Sequence, residues 1–184
     1  MTTLPNLRGH RADYVVGASI QADPGMLVAE LFEQYHAALF AYLYRLVNDR
    51  EWAHDLCQES FLRIFRARGR LAQVSNPRAW IYRIATNVAF TALKRRRRFA
   101  WLPWRSRDAE KLAATDPTEH SDRRLAIERA LAQVPLHYRA PLLLYSHYGF
   151  SVREVAGALD LSEGAVKTRL YRAREMFRQV YEGG

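Results

Sequence analysis

Ser151-Val152-Arg153-Glu154-Val155-Ala156-Gly157-Ala158-Leu159-Asp160-Leu161-Ser162-Glu163-Gly164-Ala165-Val166-Lys167-Thr168-Arg169-Leu170-Tyr171-Arg172-Ala173-Arg174 reads as two capped helices joined by a three-residue turn. Ser151 and Glu154 stand three apart, as a capping box requires: the hydroxyl takes the N–H of Glu154 and the carboxylate reaches back. Val152, Val155, Ala156 and Leu159 then recur at the spacing of one buried helix face. Asp160-Leu161-Ser162 breaks the pattern, and Ser162 is placed to cap the next helix, which runs from Glu163 to about Val180. On that helix Val166, Leu170, Ala173 and Phe177 share an apolar side. Ala165, Thr168, Arg169 and Arg172 share another, and Lys167, Arg174 and Arg178 form a basic edge. A dry face, a face of base-reading residue types and a basic flank suit the second helix of a helix-turn-helix lying in a major groove.

The composition agrees. The 184 residues carry a formal charge of +9 and a pI of about 10.0, with lysine and arginine clustered rather than spread. Such clusters favour a polyanion, because each neutralised phosphate releases condensed counterions. A hydrophobic content of 49% is enough for real cores and excludes a disordered basic chain. Cys57 is the one cysteine, so no intramolecular disulfide forms and an intracellular, cytoplasmic protein is expected. The six histidines lack ligand spacing, so no metal and no cofactor is expected. No apolar run approaches the roughly 20 residues of a membrane span. Membrane insertion is therefore not expected.

Working toward the N-terminus, His137 to Tyr148 reads as a helix stopped by Gly149, with Pro141 forcing a late start or a bend. Before it, Arg123 to Val134 reads as an amphipathic helix. Phe99 to Asp122 loses periodicity and carries Pro103, Pro117, Trp101 and Trp104; it reads as a linker able to reach about 80 Å when extended. Arg78 to Arg98 reads as a helix burying Trp80, Ile81, Ile84, Ala85 and Val88 and ending in five cations, Lys94 to Arg98. Five exceed what a helix dipole needs and suit phosphates better. Gly69 to Pro77 reads as a loop. Glu51 to Arg68 reads as a two-faced helix capped by Asp49, with Cys57, Phe61, Ile64 and Phe65 on the buried side and Asp55, Gln58 and Glu59 opposite. Met26 to Val47 reads as a further helix with a stripe of Leu27, Leu31, Tyr35 and Leu39, and Met1 to Pro24 as a mobile tail. The expected class is all-α: two small helical domains joined by a flexible linker, the second containing the helix-turn-helix. The expected divisions are 1–24 tail, 25–98 first domain, 99–122 linker and 123–184 second domain.

Three segments in this order resemble a bacterial RNA polymerase sigma factor of the extracytoplasmic-function (ECF) class. Asp55-Leu56-Cys57-Gln58-Glu59-Ser60-Phe61-Leu62-Arg63 is similar to the family's polymerase-binding helix. Pro77-Arg78-Ala79-Trp80-Ile81-Tyr82-Arg83-Ile84-Ala85-Thr86-Asn87, with the basic run, resembles its promoter-melting segment. Ser162 to Arg174 resembles its distal-element recognition helix.

The resemblance implies a transcription initiation factor with no catalysis of its own. Asp55, Gln58, Glu59 and Leu62 would meet core RNA polymerase at the largest-subunit coiled coil, with a second contact at the flap region. Leu71, Gln73, Val74, Ser75, Asn76, Tyr82, Arg83 and Asn87, with Lys94, Arg95, Arg96, Arg97 and Arg98, would recognise and melt the minus-ten element. There an unpaired base of the single strand is captured in a pocket. Ser162, Glu163, Ala165, Lys167, Thr168, Arg169, Arg172 and Arg174 would bind the duplex minus-thirty-five element, with Arg169 and Arg172 on base edges and Lys167 and Arg174 on phosphates. An anti-sigma factor is the further partner implied. Asp160 stands where the family often has glycine, and Ala165 where threonine is frequent. A conventional helix-turn-helix regulator that binds duplex DNA without polymerase is the alternative. A DNA-acting enzyme would need a nucleophile with a positioned base or clustered carboxylates, and the sequence offers neither.

Overall fold

A computed structural model describes residues 24–99 and 119–183. The N-terminal tail and most of the expected linker, Trp101 and Trp104 included, lie outside the described residues. Those residues form seven α-helices and a 3-10 turn, without a strand: α1 (Pro24–Val47), α2 (Arg50–Arg66), η1 (Arg68–Gln73), α3 (Pro77–Phe99), α4 (Glu119–Gln133), α5 (Leu136–Ser146), α6 (Val152–Leu159) and α7 (Glu163–Glu182).

Local chemistry sets the boundaries. Asn48 adopts a left-handed conformation (φ 55°) after α1, and its N–H closes on the Tyr44 carbonyl. The Asp49 carboxylate then accepts from the Trp52 N–H at 2.9 Å, capping α2 as its position predicts. Asn76 caps α3 through the Ala79 N–H at 2.9 Å, with Pro77 in the first turn, where its missing N–H costs nothing. Pro141 lies inside α5, which nevertheless starts at Leu136, one residue before the expected His137. The stretch expected to be a plain loop contains η1, pinned by the buried Leu71. In α4 the helix begins four residues earlier than the periodicity suggests, at Glu119 rather than Arg123.

Helices α1, α2 and α3 pack together around Leu39, Leu43, Leu46, Ile64, Ile81 and Ala85. The hydroxyls of Tyr42 and Thr86 share a buried hydrogen bond of 2.7 Å at the centre. Helix α7 packs on α4, α5 and α6 through Val166, Leu170 and Ala173. Cys57 is a packed apolar residue, its thiol pushed up to about 11 by burial. Phe65 departs from expectation: it is 46% exposed, with the Arg68 guanidinium 4.4 Å above its ring.

The two groups of helices are the two helical domains expected, and they pack against each other. Helix α6 lies on α3, and α1 meets α4 and α5, within one continuous apolar core. Tyr82 of α3 has ring centroids 5.2 Å from Tyr42, 5.3 Å from Tyr148 and 5.2 Å from Phe150, joining both halves in one aromatic cluster. Arg139 of α5, 8% exposed, donates to the Leu46 carbonyl at the end of α1 (2.8 Å). It also donates to the Val134 and Ala132 carbonyls at the end of α4 (2.9 and 2.5 Å). Burial lowers its guanidinium to about 10, so it remains a cation at neutral pH, held by carbonyls alone.

Candidate nucleic-acid and polymerase interfaces

The helix-turn-helix assembles as its capping residues dictate. The Ser151 hydroxyl accepts from the Glu154 N–H at 3.2 Å, and the Glu154 carboxylate accepts from the Ser151 N–H at 2.8 Å, completing the box. Asp160 takes the left-handed conformation at φ 55°, and its N–H and that of Leu161 both close on the Ala156 carbonyl. Aspartate tolerates this geometry, so the turn survives without glycine. Ser162 caps α7 through the Ala165 N–H at 3.2 Å, leaving its hydroxyl committed to the helix end.

On α7, Glu163, Lys167, Thr168 and Arg172 are exposed, and Ala165 and Arg169 are half-buried beside them. Thr168 donates its hydroxyl to the Gly164 carbonyl at 3.0 Å, which leaves its methyl for contact. Arg172 donates to the Tyr138 hydroxyl at 3.1 Å, which steadies an otherwise exposed guanidinium. Arg174 lies over the Tyr145 ring at 5.4 Å, and Arg178 pairs with Glu175. The residue that pattern reading missed is Tyr171. It is 67% exposed, three positions after Thr168 on the outermost line of the helix. Its signal was available: an aromatic facing away from the apolar side of an amphipathic helix.

In the first domain Arg83, Asn87 and Lys94 are exposed on α3 at positions i, i+4 and i+11, with exposed Thr91 completing the stripe. Gln73 and Ser75 are exposed and Val74 is half-buried at the neighbouring turn. Lys94, Arg95 and Arg96 are exposed, while the Arg97 and Arg98 side chains lie outside the described residues. Four expected minus-ten residues are otherwise engaged in this arrangement. Leu71 is a buried anchor of η1, and Tyr82, 2% exposed, belongs to the aromatic cluster. Asn76 uses its oxygen for the α3 cap and its amide to reach Glu154 of α6 at 3.0 Å. Arg96 turns back toward α2, 4.9 Å over the Trp52 ring and 3.8 Å from the Asp49 carboxylate.

The α2 face is open. Asp55 and Gln58 are exposed, and Leu62 is 51% exposed one turn beyond Gln58. Glu59 accepts from Arg63 at 2.7 Å, a surface pair of about 0.3–0.5 kcal/mol that leaves the carboxylate accessible. Phe65 and Leu62 give this acid–amide line an apolar border that periodicity did not reveal.

The Sigma-70 region 2 family model matches residues 31–99, and the Sigma-70, region 4 model matches residues 124–177. ECF RNA polymerase sigma factor SigL of Mycobacterium tuberculosis is 31% identical over 162 residues, 83% of this chain and 87% of that protein. The chain belongs to the ECF sigma factors. ECF RNA polymerase sigma factor SigE of Mycolicibacterium smegmatis is 31% identical over 81% of this sigma factor, which spans 59% of that protein's length. ECF RNA polymerase sigma factor SigX of Bacillus subtilis is 29% identical over 83% of this chain and 82% of that protein.

Two solved structures share the fold of this sigma factor. The sigma factor RpoE, in complex with the anti-sigma factor NepR from Bartonella quintana, superposes with a TM-score of 0.68 at 22% identity, over 84% of this chain and 96% of that one. CnrH, in complex with the cytosolic domain of CnrY, gives 0.65 at 19% identity, over 86% and 90%. No helix among the described residues is long and apolar enough to cross a membrane.

Proposed function

We propose that this sigma factor carries out promoter-specific initiation without chemistry of its own, docking on core RNA polymerase through α2 and reading DNA at two separate elements. The observation that carries the reading is the exposed line Asp55, Gln58, Glu59 and Leu62. Its helix has α1, α3 and η1 as principal neighbours and lies away from the helix-turn-helix. A conventional regulator has no use for such a face.

The first domain reads and opens the minus-ten element with Gln73, Val74, Ser75, Arg83 and Asn87, while Lys94, Arg95 and the following cations hold phosphates. Melting needs Asn76 and Tyr82 as well only if the aromatic cluster parts. The second domain binds the minus-thirty-five element through Thr168, Arg169 and Arg172, with Lys167 on the backbone. Tyr171 adds an aromatic contact at the centre of the helix. An anti-sigma protein is the regulatory partner that fits the family.

Co-elution of the purified chain with sigma-free bacterial core RNA polymerase tests this directly. Gln58→Ala/Glu59→Ala is expected to weaken the complex by about tenfold or more while leaving the helical circular dichroism unchanged. Absence of any complex, with tight binding of the free chain to duplex DNA, would favour the conventional regulator. Arg172→Ala is expected to act at the other step: unchanged polymerase binding, and binding to minus-thirty-five DNA weaker by about 1–3 kcal/mol, read by anisotropy with a promoter duplex.

A further inference from the structure

We infer that Tyr138 is a positioning residue for base reading: from α5, outside the helix-turn-helix, its hydroxyl sets the reach of Arg172. This rests on the DNA-reading role proposed for α7 and adds to it the group that aims one of its side chains. The Arg172 guanidinium is exposed, and its Nη1 donates to the Tyr138 hydroxyl at 3.1 Å. That hydroxyl sits on a rigid mount. The Tyr138 ring is half-buried against the core, and its centroid lies 4.0 Å from that of His137. The Tyr138 N–H closes on the Pro135 carbonyl at 2.9 Å. The next residue, Arg139, is tied to the ends of α1 and α4. Backbone and ring at position 138 are therefore fixed before any ligand arrives.

The chemistry of the bond suits recognition rather than stability. An exposed arginine has many rotamers, and ordering it on a base costs entropy that a hydrogen bond made in advance reduces. Holding Nη1 leaves the edge formed by Nε and Nη2 for a guanine, whose O6 and N7 accept two parallel bonds. The partner is also a phenol and not a carboxylate, so the guanidinium is aimed without being neutralised. Among the described residues the ion-paired arginines are Arg63, Arg96, Arg124 and Arg178, and Arg172 is not one of them. Arg174 is held in a similar fashion, over the ring of Tyr145, two turns along α5 from Tyr138. Tyrosines of one helix thus steer cations of another and keep their charge for DNA.

The test uses the full chain to select duplexes from a pool randomised over about ten base pairs, one helical turn, and sequences the bound fraction. Arg172→Ala identifies the position that Arg172 reads, as the one where a guanine preference disappears. Tyr138→Phe, which keeps the ring and its packing, is expected to cut that preference by about three- to tenfold while the other positions hold theirs. In the free chain, with no DNA present, nitrogen-15 relaxation should show the Arg172 Nε–H ordered in wild type and markedly more mobile in Tyr138→Phe. A uniform loss of affinity for all sequences in Tyr138→Phe would overturn the positioning role, as would an unchanged preference. So would an Arg172 Nε–H already mobile in wild type. If Arg172→Ala erases no base preference, the base-reading assignment of Arg172 falls, and that of Tyr138 with it. Failure to co-elute with polymerase, with both variants still behaving as expected, would sink the initiation-factor reading and leave the positioning role standing.

Discussion

Replacing Arg139 with alanine is expected to lower the unfolding free energy by about 3 kcal/mol. The guanidinium ties three segments together: from within α5 it serves the Leu46 carbonyl at the end of α1, the Ala132 carbonyl in the last turn of α4 and the Val134 carbonyl just beyond it. The last carbonyls of a helix have no partner within it, so removing their donor leaves buried acceptors unpaired. Alanine also empties the space of a long, packed stem. The offsetting term is the cost of burying a cation without a carboxylate, which the lowered value of about 10 reflects. That term is smaller than three charge-assisted bonds with good geometry. Urea titration followed by circular dichroism measures the difference as a fall in midpoint. Arg139→Lys should recover less than half of it, since one ammonium cannot span carbonyls of two helices. A loss below about 1 kcal/mol would mean that water replaces the guanidinium at all three carbonyls.

The second large effect is a loss of stability in alkali. Burial raises the phenols of Tyr42 and Tyr82 well above their ordinary value of 10.0. Burial also pushes Tyr148 up, to about 12, despite the opposing pull of Arg45. All three keep their protons in the folded chain after the unfolded chain has begun to release them. Their stabilising contribution is therefore full below pH 10 and declines as pH rises from there toward the folded-state values. At about pH 11 each tyrosine removes roughly 1.4 kcal/mol, so the trio removes roughly 4 kcal/mol. Arg139 works with the opposite sign, its folded value lying below its unfolded one, but the buried Cys57 thiol and the Tyr35 phenol are raised as well and add to the decline. Urea midpoints at about pH 8 and pH 11, with tyrosinate absorbance recorded alongside, check this. Tyr148→Phe should blunt the decline, and a stability independent of pH across this range would contradict the burial of the cluster.

The parts of this molecule that sequence reading reached are those specified by neighbours in the chain. The capping box of Ser151 and Glu154, the Ser162 cap and the Asp49 cap each involve residues three apart, and all three form as their spacing predicts. The polar line of α2 emerged for the same reason, since one helix turn defines it. What escaped depends on contacts across the chain. Asn76 meets Glu154, 78 residues away, and Arg139 meets Leu46, 93 residues away. No period or cap signals such a meeting. Tyr82 could be read as a base-stacking residue or as core until Tyr148 and Phe150, just before α6, were seen to pack on it. Phe65 erred in the other direction: its spacing from Cys57 and Phe61 suits a buried row, but that row runs off the edge of the packed surface at the end of α2.

Cys57 adds a consequence for how this factor can receive a signal. It is the one sulfhydryl in the sequence; it is 1% exposed, and burial keeps it protonated at neutral pH. Disulfide exchange and peroxide attack both require an accessible thiolate. The chain is therefore deaf to oxidants at its own sulfhydryl, and redox information that reaches it through thiol chemistry has to be sensed by another molecule and delivered by touch.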